Sequence, residues 1–77
     1  MDVYAEFVDF ISAGVTPEQI LNYRASDEMR EHFYTLLQKE KAGTATAADK
    51  AILDQCMELE HIVRMAKLKA RRHVKGE

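Results

Sequence analysis

The sequence predicts an all-α protein, a small bundle of about four helices built on an antiparallel hairpin with a long C-terminal helix. Three observations favour this fold class. Apolar residues recur at helical spacings, capping and stop signals separate the apolar segments, and no segment alternates with the period of two that a strand requires. A chain of 77 residues makes one small domain, so we expect residues 1–77 to form a single helical unit.

The first two helices are predicted to be short. The first covers about residues 2–13, and Gly14 can end it in a left-handed conformation. Its apolar face consists of Val3, Phe7, Phe10 and Ile11. The second covers about residues 17–24, because Thr16 can cap its free amides and Pro17 fixes φ at the first helical position.

The third and fourth helices are predicted to form the hairpin. The third covers about residues 27–41, after the capping residue Ser26, and Gly43 stops it. The fourth covers about residues 47–74, after the cap Thr46. At 1.5 Å per residue these helices are about 22 Å and about 42 Å long. Because the short connection makes them antiparallel, the fourth helix extends well beyond the start of the third.

The fourth helix carries an apolar seam whose period of 3.5 keeps one face directed at its neighbours. The seam consists of Ile52, Cys56, Leu59, Val63, Ala66, Ala70 and His73. Since the third helix reaches only about as far as Ile62, either the first two helices or a second chain must cover the rest. Further apolar residues lie off the seam, which indicates more than one neighbour: Leu53, Met57, Met65 and Leu68.

Charge is strongly segregated along the chain. The formal net charge is -2, but residues 1–60 carry a net charge of -7 and residues 61–77 a net charge of +5. The last turns of the fourth helix therefore combine cations with exposed apolar positions, which is typical of a helix that docks into an acidic groove. We predict a non-enzymatic interaction or regulatory protein, active as a homodimer or with another protein partner. The predicted partner-binding residues are Arg64, Met65, Leu68, Arg71 and Arg72.

Nucleic-acid binding by the basic end is the alternative, because an array of cations along a helix can release counterions from phosphates. The residues that would carry it are Lys67, Lys69, Arg71, Arg72 and Lys75. Two features weigh against it. No aromatic residue follows Arg64 to stack on bases. The first helix, if it folds back, also brings carboxylates to neutralise the cations, namely Asp2, Glu6 and Asp9.

No combination of residues predicts catalysis, a metal site or a cofactor. Cys56 is alone, so it forms no internal disulfide, and its place in the seam predicts a buried thiol. Glu58 and His61 have the Glu-x-x-His spacing of di-iron bundles, for which Glu28 or Glu31 of two chains would have to supply further ligands. We do not expect that site, because the motif occurs once. Without a long apolar run or a signal peptide pattern, we expect a cytoplasmic protein that does not insert into membranes.

Several segments together resemble a group of small, uncharacterised bacterial proteins that are frequent in cyanobacteria. The segments are residues 7–14 (FVDFISAG), 16–18 (TPE), 26–28 (SDE), 39–44 (KEKAGT) and 59–71 (LEHIVRMAKLKAR). The resemblance implies an all-helical fold but no particular activity. The C-terminal hairpin is also similar to that of longer antitoxin components of toxin–antitoxin pairs, although Ala47 and Ala48 stand where the group usually has Pro and Glu.

Overall fold

The computed structural model describes residues 2–76 and is all-α, as the sequence predicts. In chain order the helices are α1 (Ala5–Ser12), α2 (Pro17–Leu21), α3 (Asp27–Ala42) and α4 (Ala47–Val74). No strand occurs within these described residues. Both α2 and α3 pack against α4, so α4, with 28 residues, is the central helix of the fold.

The hairpin between α3 and α4 is fixed by local hydrogen bonds. Gly43 ends α3 at a φ of 75°, a left-handed conformation that favours glycine. Thr46 then starts α4 with a capping box: its Oγ1 accepts a 3.0 Å hydrogen bond from the amide of Asp49, and its own amide donates to Asp49 Oδ2 at 3.1 Å. These hydrogen bonds lower the pKa of Asp49, and Lys39 Nζ lies 3.9 Å from the same carboxylate. The turn thus holds the two helices antiparallel.

Two helices are shorter than the sequence predicts. α1 begins at Ala5 rather than near residue 2, because Asp2 Oδ1 accepts a hydrogen bond from the amide of Tyr4 in a turn. α2 ends at Leu21 rather than near residue 24. There the side chain of Asn22 donates to the carbonyl of Glu18 at 3.1 Å and closes the helix, after which the chain is no longer helical.

The central core joins the N-terminal segment to the middle of α4. Val3 and Phe7 are buried together with Cys56 and Leu59. Tyr23 packs edge-on against the ring of Phe7, with ring centroids 5.2 Å apart. Other residues contact this core from its margins: Tyr4, Phe10, Phe33, Ile52, Val63 and Ala66. Of the two coverings left open by the sequence, the structure has the first, in which the N-terminal helices fold back over α4.

The predicted seam of α4 is buried or half-buried as far as Ala70, which is only 3% exposed. Its last residue, His73, is exposed. α3 packs beside the first half of α4, where Leu36 and Leu53 are buried. Because the 16 residues of α3 span only about 24 Å, they end before Ala70. The burial of Ala70 therefore comes from the N-terminal segment, in which α2 packs against α4.

A polar contact fixes the N-terminal segment to the start of α3. The carboxylate of Glu6 accepts two hydrogen bonds from Ser26, one from its amide at 3.1 Å and one from its Oγ at 2.6 Å. These bonds lower the pKa of Glu6 below its ordinary value of 4.5. The same Ser26 caps α3 by accepting from the amide of Met29 at 3.1 Å. One carboxylate thus links α1 to the cap of α3.

We predict that Glu6→Gln destabilises the protein by up to about 1 kcal/mol at pH 7, a small value because the contact is exposed to solvent. The pKa of Glu6 is lower in the folded chain, so its contribution is present above pH 4.5 and is lost as the pH falls through the folded pKa. Urea unfolding followed by circular dichroism at pH 7, 5 and 3 should therefore show the two proteins converging in acid. Glu31→Gln on the exposed surface of α3 is the control, and a gap at pH 3 as large as the gap at pH 7 would refute this linkage.

Candidate interaction surface

The side of α4 that faces away from the core carries exposed apolar residues. Met57 is 55% exposed, Met65 is 44% exposed and Leu68 is 47% exposed. Their spacing, with His61 and Arg72, is four, four, three and four residues, which places all five on one side of a helix. We call this set, Met57, His61, Met65, Leu68 and Arg72, the outer face.

The sequence predicts that Met65 and Leu68 are exposed, and they are, but the structure gives a different reason for their exposure. The predicted binding surface assumes that the far turns of α4, which α3 is too short to reach, are left uncovered by the first two helices. In the structure the N-terminal segment covers the seam there, including Ala66 and Ala70. Met65 and Leu68 stay exposed because they lie on the opposite side of the same turns. The surface therefore runs along the side of α4 and includes Met57, far from its tip.

The cations near the end of α4 are mostly free of carboxylates. Arg64 Nη2 pairs with Glu60 Oε1 at 2.9 Å, one turn earlier in the same helix. Within residues 2–76, the other basic side chains of this end have no carboxylate oxygen within 4.0 Å: Lys67, Lys69, Arg71, Arg72 and Lys75. The expected neutralisation by the first helix does not take the form of ion pairs in this part of the chain. Glu6 bonds Ser26 and Asp2 bonds the amide of Tyr4 instead.

These cations do not share one side of α4. Lys67, Arg71 and Lys75 are spaced four residues apart and form a stripe next to the outer face. Arg72 belongs to the outer face itself, and Lys69 lies beyond it on the far side. The partner-binding residues predicted from sequence therefore fall into two adjoining groups. Met65, Leu68 and Arg72 lie on the outer face. Arg71 lies on the basic stripe beside it, and Arg64, three residues before Lys67, extends that stripe.

A cavity of about 220 Å³ opens between the start of α3, α4 and the segment before α3. Its wall is mainly apolar and includes Val3, Tyr23, Met29, Phe33, Cys56 and Leu59. The charged side chains in its lining are paired along their own helices, Arg30 with Asp27 at 3.4 Å and Glu60 with Arg64. Cavities that hold drug-sized ligands have roughly 300 Å³ or more. This cavity brings no two reactive groups together, so the outer face is the stronger candidate site.

The residues with the Glu-x-x-His spacing have no further metal-ligating side chains gathered around them in residues 2–76. Glu58 and His61 are both exposed on α4. Burial raises the pKa of Tyr4, and the carboxylate of Glu58 beside its hydroxyl raises it further. Glu58 therefore lies next to a tyrosine rather than next to other carboxylates. In the part of the chain that the structure describes, no three His, Cys, Asp or Glu side chains are arranged to hold a metal ion.

Comparison of the chain with protein-family models, curated proteins and solved structures finds no match. Among residues 2–76, none of the helices combines the length and the apolar character needed to cross a bilayer.

We predict that Cys56 reacts at least tenfold more slowly with Ellman's reagent at pH 8 in the folded protein than in urea. The thiol is buried, and burial raises its pKa, so both access and thiolate fraction are low. The matched control is Cys56→Ala combined with Gln55→Cys, which moves the thiol to the exposed neighbouring position. Equal reaction rates for these two folded proteins would contradict the buried placement of Cys56.

Proposed function

We propose that this protein acts by binding another protein through the outer face of α4 and the cations beside it, without catalysis. The main support is the exposure of Met57, Met65 and Leu68 on a helix whose opposite side is already packed. Full burial of such side chains contributes about 1.5–3 kcal/mol each. Since each already loses about half of its exposure in the folded chain, a partner that covers them gains roughly 1 kcal/mol from each.

The composition of this surface supports a protein partner. Methionine and arginine are enriched in protein interfaces, and central apolar residues within a polar rim are typical of binding hot spots. On the outer face, Met65 and Leu68 would be the apolar anchors, and Arg64, Arg71 and Arg72 would surround them. Other exposed apolar residues of the described chain lie on other elements or on other sides of α4, where single exposed hydrophobic residues are ordinary: Val8 and Ile11 on α1, Tyr34 on α3, and Ile62 and Val74 on α4.

The proposal includes a regulatory role in the cytoplasm. Its support is the similarity of the C-terminal hairpin, formed by α3 and α4, to that of antitoxin components, which is an analogy at the level of a helical hairpin. In such a role the chain needs only a binding surface, and the outer face supplies one. Nothing in this role requires a cofactor.

We predict that replacing Met65 and Leu68 together by Ser abolishes most binding to the partner while leaving the helical content unchanged. The reason is that both side chains point away from the core, so the substitution removes interface contacts without creating a cavity. The measurement is photo-crosslinking in cells of the source organism, with a photoreactive amino acid at His61. A defined adduct should form and should disappear in the Ser variant.

The matched control is Tyr34→Ser, which removes an apolar side chain that is 63% exposed on α3 and should leave the adduct intact. A photoreactive residue at Gln38, also exposed on α3, should give no such adduct. The proposal is wrong if His61 gives no adduct, or if the adduct is unchanged by the loss of Met65 and Leu68.

Nucleic-acid binding is the second candidate function, and it is favoured by the cations at the end of α4 that have no carboxylate partner within residues 2–76. Lys67, Arg71 and Lys75 form a stripe that can contact successive phosphates along one strand. Lys69 lies on another side of the helix, so the five predicted residues cannot all contact one duplex surface. This arrangement supports few phosphate contacts and weak, nonspecific affinity.

If the protein binds nucleic acid, its affinity for a fluorescent DNA duplex should fall steeply with added salt. The fall should be about one log unit of affinity per log unit of salt for each phosphate neutralised. Replacing Lys67, Arg71 and Lys75 by Gln should then remove the binding and its salt dependence, as measured by fluorescence anisotropy. Met65→Ser with Leu68→Ser should leave it unchanged, which separates the two functions. Absence of binding at 50 mM salt would exclude this candidate.

A further inference from the structure

We infer that the partner of the outer face is a second copy of this chain, packed antiparallel along α4. This inference rests on the proposed function, because it names the occupant of the same surface. Three observations carry it: the order of charges along α4, the spacing of the exposed residues on its outer side, and the length over which that side is free.

The order of charges favours an antiparallel arrangement over a parallel one. The exposed acidic residues Asp54 and Glu58 lie in the first half of α4 and have no cation within 4.0 Å in residues 2–76. The cations that have no carboxylate oxygen within 4.0 Å in residues 2–76 lie in the second half of α4. Two α4 helices side by side in the same direction would bring like charges together. In opposite directions, the acidic half of each copy meets the basic half of the other, which gives electrostatic complementarity twice.

The spacing on the outer side fits a two-stranded seam. Six residues recur at alternating intervals of four and three, the heptad pattern of coiled coils: Asp54, Glu58, His61, Met65, Leu68 and Arg72. All six are exposed. The series reads with the same spacing in both directions about the level of residue 63, so a two-fold axis there pairs each position with another of the series.

In this register, Asp54 of one copy lies opposite Arg72 of the second copy, and this ion pair occurs twice. Between these ends, His61 lies opposite Met65 of the second copy, and Glu58 lies opposite Leu68 with Lys69 one residue further. The contacts of Met65 with His61 are therefore central and the ion pairs are at the margins, as in a typical isologous interface.

The free length of α4 is sufficient for such a seam. Residues 54 to 72 span about 27 Å at 1.5 Å per residue. Tyr4 approaches this side at Glu58, but all six positions are exposed over the whole span. A chain of this size buries only about 60% of the surface of its unfolded form, so association adds stability that a single copy lacks.

The test is a charge exchange within the full chain, measured by analytical ultracentrifugation from 10 to 500 µM. The wild type should show a concentration-dependent monomer–dimer equilibrium. Asp54→Arg and Arg72→Asp each turn both ion pairs into like-charge contacts and should each weaken the dimer about tenfold. The double variant restores opposite charges at both ends and should recover most of the wild-type affinity.

Mixing the two single variants is the sharpest arm of this test. One copy then carries Arg at both positions and the other carries Asp at both, so the mixed dimer should be tighter than either variant alone. Circular dichroism confirms that all variants fold, and Glu31→Arg on α3 is the control for a charge reversal elsewhere.

The inference is overturned if the wild type stays monomeric up to 500 µM, or if the double variant is no better than the single ones. These failures differ from failure of the proposed function. A photo-crosslinked adduct at His61 that contains a different protein would leave the proposed function standing while excluding a second copy. Absence of any adduct, together with a monomeric wild type, would remove both.

Discussion

The packing of the N-terminal segment onto the middle of α4 is the contact on which the rest of the structure depends. Val3 and Phe7 are far in sequence from Cys56 and Leu59, yet these four residues form the central core. In a chain that buries so little surface, this core and the short hairpin must hold every element in place. Because the core uses one side of α4, the other side is free by geometry: a helix is a cylinder, and two neighbours cannot surround it.

The outer face is therefore a consequence of how a small chain distributes its apolar residues. Leu53 packs beside α3, where Leu36 is also buried. Val63, Ala66 and Ala70 pack beneath the N-terminal segment. The small side chains late in the seam suit a short helix such as α2, which packs against α4 with only five residues. Within residues 2–76, no such neighbour covers Met57, Met65 and Leu68. Each therefore retains exposed apolar surface whose burial by a partner is favourable.

Most of the fold could be predicted from the sequence because its determinants are local. Thr46, Gly43 and the period of the α4 seam act within a few residues, so the hairpin and the long helix were predictable. The contact between Glu6 and Ser26 joins residues 20 positions apart, and no local pattern specifies it. The early end of α2 depends on one side chain, Asn22, whose hydrogen bond to the carbonyl of Glu18 was not predicted. For the site, the exposure of Met65 and Leu68 was predicted from the short reach of α3, whereas in the structure it follows from their position off the seam. Which neighbour covers the seam could not be predicted, since this is a tertiary choice between the same chain and another.

The charge order along α4 discriminates among the possible partners more sharply than the apolar residues do. A nucleic acid is uniformly negative, so it can use only the second half of α4 and is repelled by Asp54 and Glu58 in the first half. An acidic groove in another protein meets the same obstacle if it extends along the whole outer face. A surface that is acidic first and basic second avoids the repulsion, and an antiparallel copy of α4 is such a surface. Because the exposed apolar residues Met57, Met65 and Leu68 occupy both halves of α4, a partner that covers all three must satisfy both signs of charge.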